Sequence, residues 1–297
     1  MTTSQITSLI ENSTLRRLER MRINSSRLFT NKSRGEHLAG RSGQSTEFSD
    51  YRDYSAGDDT RFVDWNVFAR LNRPYLKLYR QEEEMHVVIL IDNSLSMNYE
   101  GKFERAQQLA ASFGIVGLLA GEKVSVYPTH QPSGAPTCLA PCRGRSSLRK
   151  LFAFIESIEP EGATPLETSI ESILKFHRGR GLVVVLSDFM TFGDLGRCFN
   201  RLFSSGLEIN AVQLLSPTEL YPEVTGDMRF VDCECDEVLD VSSVGELLEL
   251  YHQYRIGFEE RLRELCTHRS GRFISANAAA SIDTILFDDL VRKGWLQ

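Results

Sequence analysis

Two runs of five consecutive apolar residues constrain the fold of this chain more than any other feature of its sequence. Residues 87–91 read VVILI, and residues 182–186 read LVVVL. A strand that is apolar at every position has no face for water, so it suits a sheet that is covered on both sides, as parallel sheets are. The two runs therefore predict central strands of a parallel sheet with helices on both faces.

The segment that follows residue 86 alternates between strand and helix patterns. Further strands are expected at residues 123–127, 208–215 and 272–275, with a short edge strand at residues 238–241. Stripes of apolar residues with helical spacing separate these strands, and a last helix is expected over residues 282–295. Strands that alternate with helices predict an α/β fold with a doubly wound, mostly parallel sheet.

The first 84 residues have a different character and predict two further segments. Residues 1–34 are rich in arginine and predict a basic helical lead-in. Residues 35–84 are rich in Gly, Asp, Arg and aromatic residues and lack helical periodicity. They predict a small subdomain of loops and short strands, packed against a main domain that covers residues 85–297 and ends in helices.

The composition argues against several classes of function. The formal charge is 34 − 40 = −6, which gives no general affinity for nucleic acid or anionic membranes. No run reaches the roughly 20 apolar residues that a membrane span needs. The N-terminus also lacks the basic region and apolar core of a secretory signal. We therefore expect a cytoplasmic protein without a membrane span, whose cysteines are reduced.

The cysteines offer one alternative kind of site. A CxxxC pair and a CxC pair together supply four potential zinc ligands, Cys138, Cys142, Cys233 and Cys235. Neither spacing is the usual two-residue zinc knuckle, which argues against zinc. Cys198 and Cys266 lie in helical patterns and are expected to be small buried hydrophobes.

The loop after the first apolar run carries an acid and two hydroxyls at alternate positions, Asp92, Ser94 and Ser96. If this loop curls at the carboxyl end of its strand, the three side chains turn toward one point. Open parallel sheets bind ligands at that end, and the three oxygens suit a hard cation such as Mg²⁺. The alternative is a hydroxyl-rich turn that caps the next helix.

Two further loops carry side-chain oxygens. Asp188 directly follows the second apolar run, so we expect it at the same edge of the sheet. A single acid in that position is also a common turn former or N-cap. Thr164 precedes Pro165, and capping alone explains this pair, with Thr as the N-cap and Pro as the first helical residue.

The order of the three loops resembles the von Willebrand factor A fold and its metal-ion-dependent adhesion site (MIDAS). A DxSxS loop comes first, a Gly-x-Thr-Pro-Leu loop second and a strand-end Asp third. The resemblance implies a divalent cation held by Asp92, Ser94, Ser96, Thr164 and Asp188. The hydroxyls would bind directly and the acids directly or through water. It implies Mg²⁺, with Mn²⁺ or Ca²⁺ as alternatives, and a coordination position for a partner's carboxylate.

A second motif narrows the resemblance to one family. Residues 57–70 read GDDTRFVDWNVFAR, which is similar to the signature of the family called domain of unknown function 58 (DUF58). Proteins of this family resemble co-factors of MoxR-type AAA+ ATPases, which are thought to assist chaperone-like remodelling or complex assembly. The resemblance implies a non-enzymatic adaptor that links such an ATPase to a protein client with an acidic motif.

Two other functions stay open at this point. A metal-dependent hydrolase or phosphatase would use Asp92 as a nucleophile and Asp188 as a metal ligand. The three loops hold no lysine or histidine as an acid or base, and the chain has no Walker loop, GxSxG or HExxH motif. The remaining alternative is a structural module whose metal site stays vacant.

The charged residues of the signature segment have two interpretations. They are Asp58, Asp59, Arg61, Asp64 and Arg70. An internal network of ion pairs would fasten residues 35–80 to the main domain, since such pairs specify geometry more than they stabilise. Alternatively, the segment is part of a surface that binds a partner.

Overall fold

A computed structural model shows the protein as two compact units. The smaller unit is Arg27–Glu84, and the larger unit combines Met1–Ser26 with Met85–Gln297. The structure describes residues 7–25, 30–31, 46–82, 85–130, 138–162, 165–177, 179–191, 193–223, 228–231, 237–241 and 244–297. No helix within these ranges is both long enough and apolar enough to cross a membrane.

The elements follow one another in a largely alternating order. The strands are β1 (Thr30–Asn31), β2 (Thr46–Asp53), β3 (Tyr75–Glu82), β4 (His86–Ile91), β5 (Lys123–Pro128), β6 (Leu139–Cys142), β7 (Gly181–Ser187), β8 (Leu207–Leu215), β9 (Met228–Val231), β10 (Val238–Val241) and β11 (Arg272–Asn277). The α-helices are α1 (Asn12–Leu18), α2 (Trp65–Leu71), α3 (Lys102–Leu119), α4 (Leu148–Glu156), α5 (Leu166–Phe176), α6 (Leu195–Ser204), α7 (Pro217–Leu220) and α8 (Val244–Thr267). Short 3₁₀ turns cover Thr60–Phe62, Leu95–Asn98 and Arg145–Ser147, and a π-helix covers Thr284–Leu290.

The larger unit is built on a six-stranded sheet with the order β11-β8-β7-β4-β5-β6. All neighbouring strands are parallel except β6, which runs antiparallel to β5 at one edge. The two apolar runs form most of β4 and β7, and every residue of both strands is buried. One face of the sheet packs on α5, α6 and α8, while α3 packs on the other. The predicted doubly wound, mostly parallel α/β fold is confirmed.

Helix α3 approaches the sheet closely at Gly117. A Cβ atom at this position would lie 2.8 Å from Cγ2 of Val124 and 3.3 Å from Cγ2 of Val87. We therefore expect Gly117→Val to lower the free energy of unfolding, measured by urea denaturation, by about 1–3 kcal/mol, as overpacking does. The control is Gly257→Ala in α8, where an added Cβ meets no atom within 4 Å. It should be neutral or stabilising, and equal losses from both variants would contradict the close approach.

The connections of β4 create a crevice at the carboxyl end of the sheet. From β4 the chain passes through α3 to β5 on one side, whereas β7 lies on the other side of β4. The loops that follow the central strands therefore diverge, and open α/β sheets bind ligands at such a switch point. The predicted metal loop at residues 92–96 begins there, directly after β4.

The smaller unit is a three-stranded antiparallel sheet with the order β1-β3-β2. It also contains α2, a helix that the sequence did not predict because the segment lacks apolar periodicity. Capping defines this helix instead. The carboxylate of Asp64 accepts hydrogen bonds from the backbone N–H groups of Asn66 and Val67, and Asn72 ends the helix in the left-handed conformation at φ 51°. Asp and Asn are favoured in these two positions.

Four of the five charged residues of the 57–70 segment, Asp58, Asp59, Arg61 and Asp64, form ion pairs inside the smaller unit. The pairs are Arg52–Asp58 at 2.8 Å, Arg61–Asp59 at 2.6 Å and Lys77–Asp64 at 3.1 Å. Two of the basic partners, Arg52 and Lys77, come from β2 and β3. The network therefore joins the segment to the sheet of its own unit.

Asp64 gives the smaller unit a pH-dependent stability. Desolvation opposes its ionisation, but hydrogen bonds from Lys77, Tyr51 and the N–H groups of α2 outweigh this and lower its pKa from 3.8 to about 2. Because the folded state has the lower pKa, the stabilisation is complete above pH 3.8 and is lost as the pH falls toward 2. We expect Asp64→Asn to reduce amide-exchange protection in α2 near neutral pH, and far less near pH 2. A loss that does not depend on pH would contradict this role.

The C-terminal third departs from the sequence prediction in two places. The short edge strand predicted at residues 238–241 is present as β10, but it pairs with β9 in a separate antiparallel sheet and not with the main sheet. The last helix contains a π-helical stretch, Thr284–Leu290. An apolar stripe in the sequence does not distinguish this rare geometry from an α-helix.

The cysteines are placed as follows. Cys198 and Cys266 are buried, as predicted, and burial raises the pKa of each thiol to about 12. Cys138 and Cys142 lie at the two ends of the β6 edge segment as free thiols. Cys233 and Cys235 lie outside the described residues, so the four-cysteine zinc site stays an untested alternative.

Candidate functional site

The first and third predicted loops meet at the carboxyl ends of β4 and β7. These strands are parallel neighbours, with Ile91 beside Leu186. The backbone N–H of Asp92 donates to the carbonyl of Leu186 at 2.9 Å, which continues the pairing into the loop. Asp92 and Asp188 are both buried. The sheet register thus brings two predicted acidic ligands to one edge.

The first loop folds its two hydroxyl groups onto one another. The Oγ atoms of Ser94 and Ser96 lie 3.0 Å apart in a hydrogen bond, and both residues are half-buried. Adjacent oxygen ligands of an octahedral Mg²⁺, each about 2.1 Å from the ion, are separated by about 3.0 Å. The hydroxyl pair therefore has the spacing of two neighbouring ligands.

The turn expected as an alternative to a metal loop is also present. The backbone N–H of Ser94 donates to Oδ1 of Asp92 at 3.0 Å, which makes an Asx turn. Ser94 occupies the N-cap of the 3₁₀ turn Leu95–Asn98, but its hydroxyl makes no capping hydrogen bond. Capping therefore does not explain the serine hydroxyls, and the turn itself is compatible with a metal loop.

Asp92 is a buried carboxylate supported by hydroxyl donors. The Oγ of Ser187 donates to its Oδ2 at 2.5 Å, and the Oγ1 of Thr129 donates to its Oδ1 at 3.3 Å. Burial, followed by the negative charge of Asp188, raises the pKa of Asp92. Two buried carboxylates at one edge repel each other, so the site favours the arrival of positive charge.

Lys102 supplies a positive charge that the loop motifs did not predict. It is the first residue of α3 and only 1% exposed, and its Nζ donates to Oδ2 of Asp188 at 2.8 Å and to Oε1 of Glu219 at 2.6 Å. Burial opposes its charge, but the attraction of the two carboxylates outweighs burial and raises the pKa of Lys102. The sequence did contain a signal, because a lysine at a helix N-terminus opposes the helix dipole and needs compensation.

The second loop contacts the first through its backbone. The N–H of Glu161 donates to the carbonyl of Asn93 at 2.6 Å, and the carbonyl of Gly162 accepts from the N–H of Leu95 at 3.2 Å. Gly162 has a φ of 79°, and the ring of His130 fills the space that a Cβ atom would need. The positive φ therefore favours glycine at this position, and the ring of His130, two residues after β5, lies against the second loop.

Thr164, the predicted ligand of the second loop, lies outside the described residues. The helix that follows begins at Leu166, and Pro165 occupies its N-cap position with an extended ψ of 135°. Pro165 is therefore not the first helical residue, as the capping interpretation expected, and both predicted roles of Thr164, as a cap and as a ligand, stay untested.

The donors of the site suit a hard divalent cation. The carboxylates of Asp92 and Asp188 and the hydroxyls of Ser94 and Ser96 provide oxygen, which Mg²⁺, Mn²⁺ and Ca²⁺ prefer. Within the described part of the chain, no group of three or more His, Cys, Asp or Glu side chains is arranged to hold a metal ion. A cation in this crevice would therefore depend on the serine hydroxyls as well as on the acids.

Sequence comparison places the chain among related proteins. A family model described as Protein of unknown function DUF58 matches residues 50–260. Uncharacterized protein Rv1480 of Mycobacterium tuberculosis is 26% identical over 216 residues, which cover 70% of this chain and 67% of that protein. Uncharacterized protein Mb1516 of Mycobacterium bovis matches with the same identity and coverage.

Two solved structures illustrate the structural similarity. The conserved hypothetical protein BatB from Bacteroides thetaiotaomicron is 15% identical, with 70% of this chain and 98% of that chain covered and a TM-score of 0.43. Proximal thread matrix protein 1 from the mussel byssus, solved with a zinc occupied MIDAS motif, is 15% identical over 44% of this chain and 38% of its own, with a TM-score of 0.32. Because the family model covers most of the chain, this protein belongs to the family described as Protein of unknown function DUF58.

Proposed function

We propose that this protein is a non-enzymatic adaptor that binds an acidic segment of a partner protein through a divalent cation. The cation would be Mg²⁺, with Mn²⁺ or Ca²⁺ as alternatives, held by Asp92, Ser94, Ser96, Thr164 and Asp188. One observation carries the proposal: the loops at the switch point of the sheet hold two buried carboxylates and a pair of hydroxyls that lie 3.0 Å apart.

The charges of the site suit a cation that must also bind an external carboxylate. Ser94 and Ser96 are neutral ligands, so they leave the cation's charge largely uncompensated. The ion pair between Lys102 and Asp188 withdraws part of the negative charge that Asp188 would otherwise give. A cation bound here would keep enough positive charge to attract a carboxylate from a partner.

The resemblance to the family supports the class of partner. We place the protein between a MoxR-type AAA+ ATPase and an acidic-motif client, in the cytoplasm. The ATPase would supply energy for chaperone-like remodelling or complex assembly, and this chain would supply recognition. A gene for such an ATPase beside the gene for this protein would support the assignment.

Co-purification tests the metal-bridged interaction. We expect the wild-type chain to recover the ATPase or its client in the presence of Mg²⁺, and EDTA or Asp92→Asn to abolish recovery. The matched control is Asp194→Asn, which removes the charge of an exposed acid that caps α6. Equal recovery with the wild type and Asp92→Asn would contradict a metal bridge.

A hydrolase or phosphatase is the alternative, and Lys102 gives it a basic group that the three loops lack. Two carboxylates hold the ammonium group and raise the pKa of Lys102. The side chain therefore suits charge neutralisation better than proton transfer. Mg²⁺-dependent hydrolysis of p-nitrophenyl phosphate that is lost in Asp188→Ala would establish an enzyme instead.

A further inference from the structure

A groove opens beside the candidate cation site. Its volume is about 1080 Å³, slightly above the roughly 300–1,000 Å³ that small-molecule sites occupy. Large apolar side chains line it, among them Leu95, Tyr99, Met190, Phe230, Tyr254 and Phe258. A groove of this size suits several side chains of a peptide.

The apolar side chains of the groove are strongly exposed. Tyr254 is 73% exposed, Tyr99 is 50% exposed and Met190 is 43% exposed. Clustered exposed apolar groups mark binding surfaces on soluble proteins. Aromatic residues and methionine are also enriched at protein interfaces, where methionine adapts its shape to different partners.

Helix α8 forms one wall of the groove. Tyr254 and Phe258 lie one turn apart on α8, with ring planes 4° apart and ring centroids separated by 6.4 Å. The hydroxyl of Tyr251, on the same helix, donates to the carbonyl of Glu219 at 2.6 Å. Helix α8 therefore presents two aromatic rings of similar orientation to a ligand.

The groove is continuous with the cation loop. Leu95 and Ser96 are consecutive residues of one 3₁₀ turn, and both line the groove. Lys102 also lines it and connects Asp188 of the candidate site to Glu219 of α7. A carboxylate bound to the cation would therefore place its neighbours in the same peptide over the groove.

The basic residues that line the groove are already paired within the protein. Lys102 bonds to Asp188 and Glu219, and Arg255 pairs with Glu259. The cation, and not the lining, would therefore recognise the acid of the peptide.

We infer that this groove binds an acidic segment of the partner protein that carries large apolar side chains next to its carboxylate. The carboxylate completes the shell of the cation, and the apolar side chains pack between Met190 and the wall formed by Tyr254 and Phe258. This inference rests on the proposed function and specifies the partner's chemistry.

Selection from random peptides displayed on phage tests this specificity. The full chain is the bait in millimolar Mg²⁺, and the selected peptides are synthesised and their affinities measured by fluorescence anisotropy. We expect enrichment of an Asp or Glu flanked by Leu, Phe, Trp or Met. Enrichment of sequences without the acid or without the apolar residues would overturn the inference, as would no enrichment.

Groove variants provide the quantitative test. We expect Tyr254→Ser and Met190→Ser each to weaken binding of a selected peptide by about tenfold or more, as loss of an interface anchor does, with Mg²⁺ affinity unchanged. The matched control is Leu250→Ser, a residue of α8 that is 62% exposed and outside the groove lining. Equal effects of Leu250→Ser and Tyr254→Ser would overturn the inference. Dimerisation of the wild-type chain that Tyr254→Ser abolishes would assign the groove to a second copy and would also overturn it.

The experiments distinguish a wrong assignment of the groove from a wrong assignment of the cation site. If Tyr254→Ser leaves peptide binding intact while EDTA abolishes it, the groove inference fails and the proposed function stands. If Asp92→Asn abolishes Mg²⁺ binding but peptide binding persists and still requires Tyr254, the metal bridge fails and the groove assignment stands without it.

Discussion

Replacing Lys102 with methionine should lower the free energy of unfolding by about 3–5 kcal/mol in the absence of divalent cations, because it leaves buried carboxylates without their counter-ion. Lys102 is 1% exposed and bonds to Asp188 and Glu219. Methionine is similar in length, so little packing is lost. Asp188 would then face Asp92 without the ammonium group.

Urea denaturation in EDTA measures this loss. The matched control is Lys150→Met, on the exposed side of α4, which should change stability by less than about 0.5 kcal/mol. Mg²⁺ should restore part of the stability of Lys102→Met and have a smaller effect on the wild type, because the added cation replaces the missing charge. A loss no larger than that of Lys150→Met would contradict the role of Lys102 as the counter-ion of the site.

Asp92→Asn should lower Mg²⁺ affinity by at least about a hundredfold, since loss of even an outer-shell partner costs metal sites about 10–100-fold. The substitution removes a charge and preserves the shape of the side chain. Isothermal titration calorimetry measures the affinity, with Asp194→Asn as the matched control. Unchanged affinity would exclude Asp92 as a ligand, and no Mg²⁺ binding by the wild type would favour a structural module with a vacant site.

The same variant should not unfold the protein, which separates loss of a ligand from loss of structure. Burial and Asp188 raise the pKa of Asp92. The pKa of this carboxyl group is higher in the folded state than its value of 3.8 in the unfolded state. The folded state is therefore destabilised as the pH rises above 3.8, because the group ionises more easily in the unfolded chain. In EDTA we therefore expect Asp92 to make the wild type less stable as the pH rises. The stability of Asp92→Asn should not show this decrease. A large destabilisation of Asp92→Asn in EDTA would contradict this prediction.

The sequence predicted those parts of the fold that depend on local patterns. Strands β4 and β7 are apolar at nearly every position, so their burial follows from composition alone. Asp92 and Asp188 follow these strands directly, and parallel pairing of neighbouring strands brings their ends together. Helix α2 was not predicted because it has no apolar stripe. Its ends are set by Asp64 at the N-cap and by Asn72 at the C-cap.

The counter-ion of the site could not be predicted from local patterns. Lys102 lies 86 positions from Asp188 and 117 positions from Glu219 along the chain. The three residues meet because α3, the β7 loop and α7 converge at one end of the sheet, which is a property of the tertiary structure. The groove has the same origin, since its walls come from the first loop, the loop after β7, the β9 strand and α8.

Anomalous scattering from crystals of the full chain grown with Mn²⁺ tests the cation site most directly. We expect one strong anomalous peak in the crevice after β4, about 2.2 Å from the hydroxyl oxygens of Ser94 and Ser96, with Asp92 in the surrounding shell. Crystals of Asp92→Asn grown in the same way should lack that peak. Wild-type crystals with no peak at this loop, or with Mn²⁺ bound elsewhere, would contradict the assignment of this crevice as a divalent-cation site.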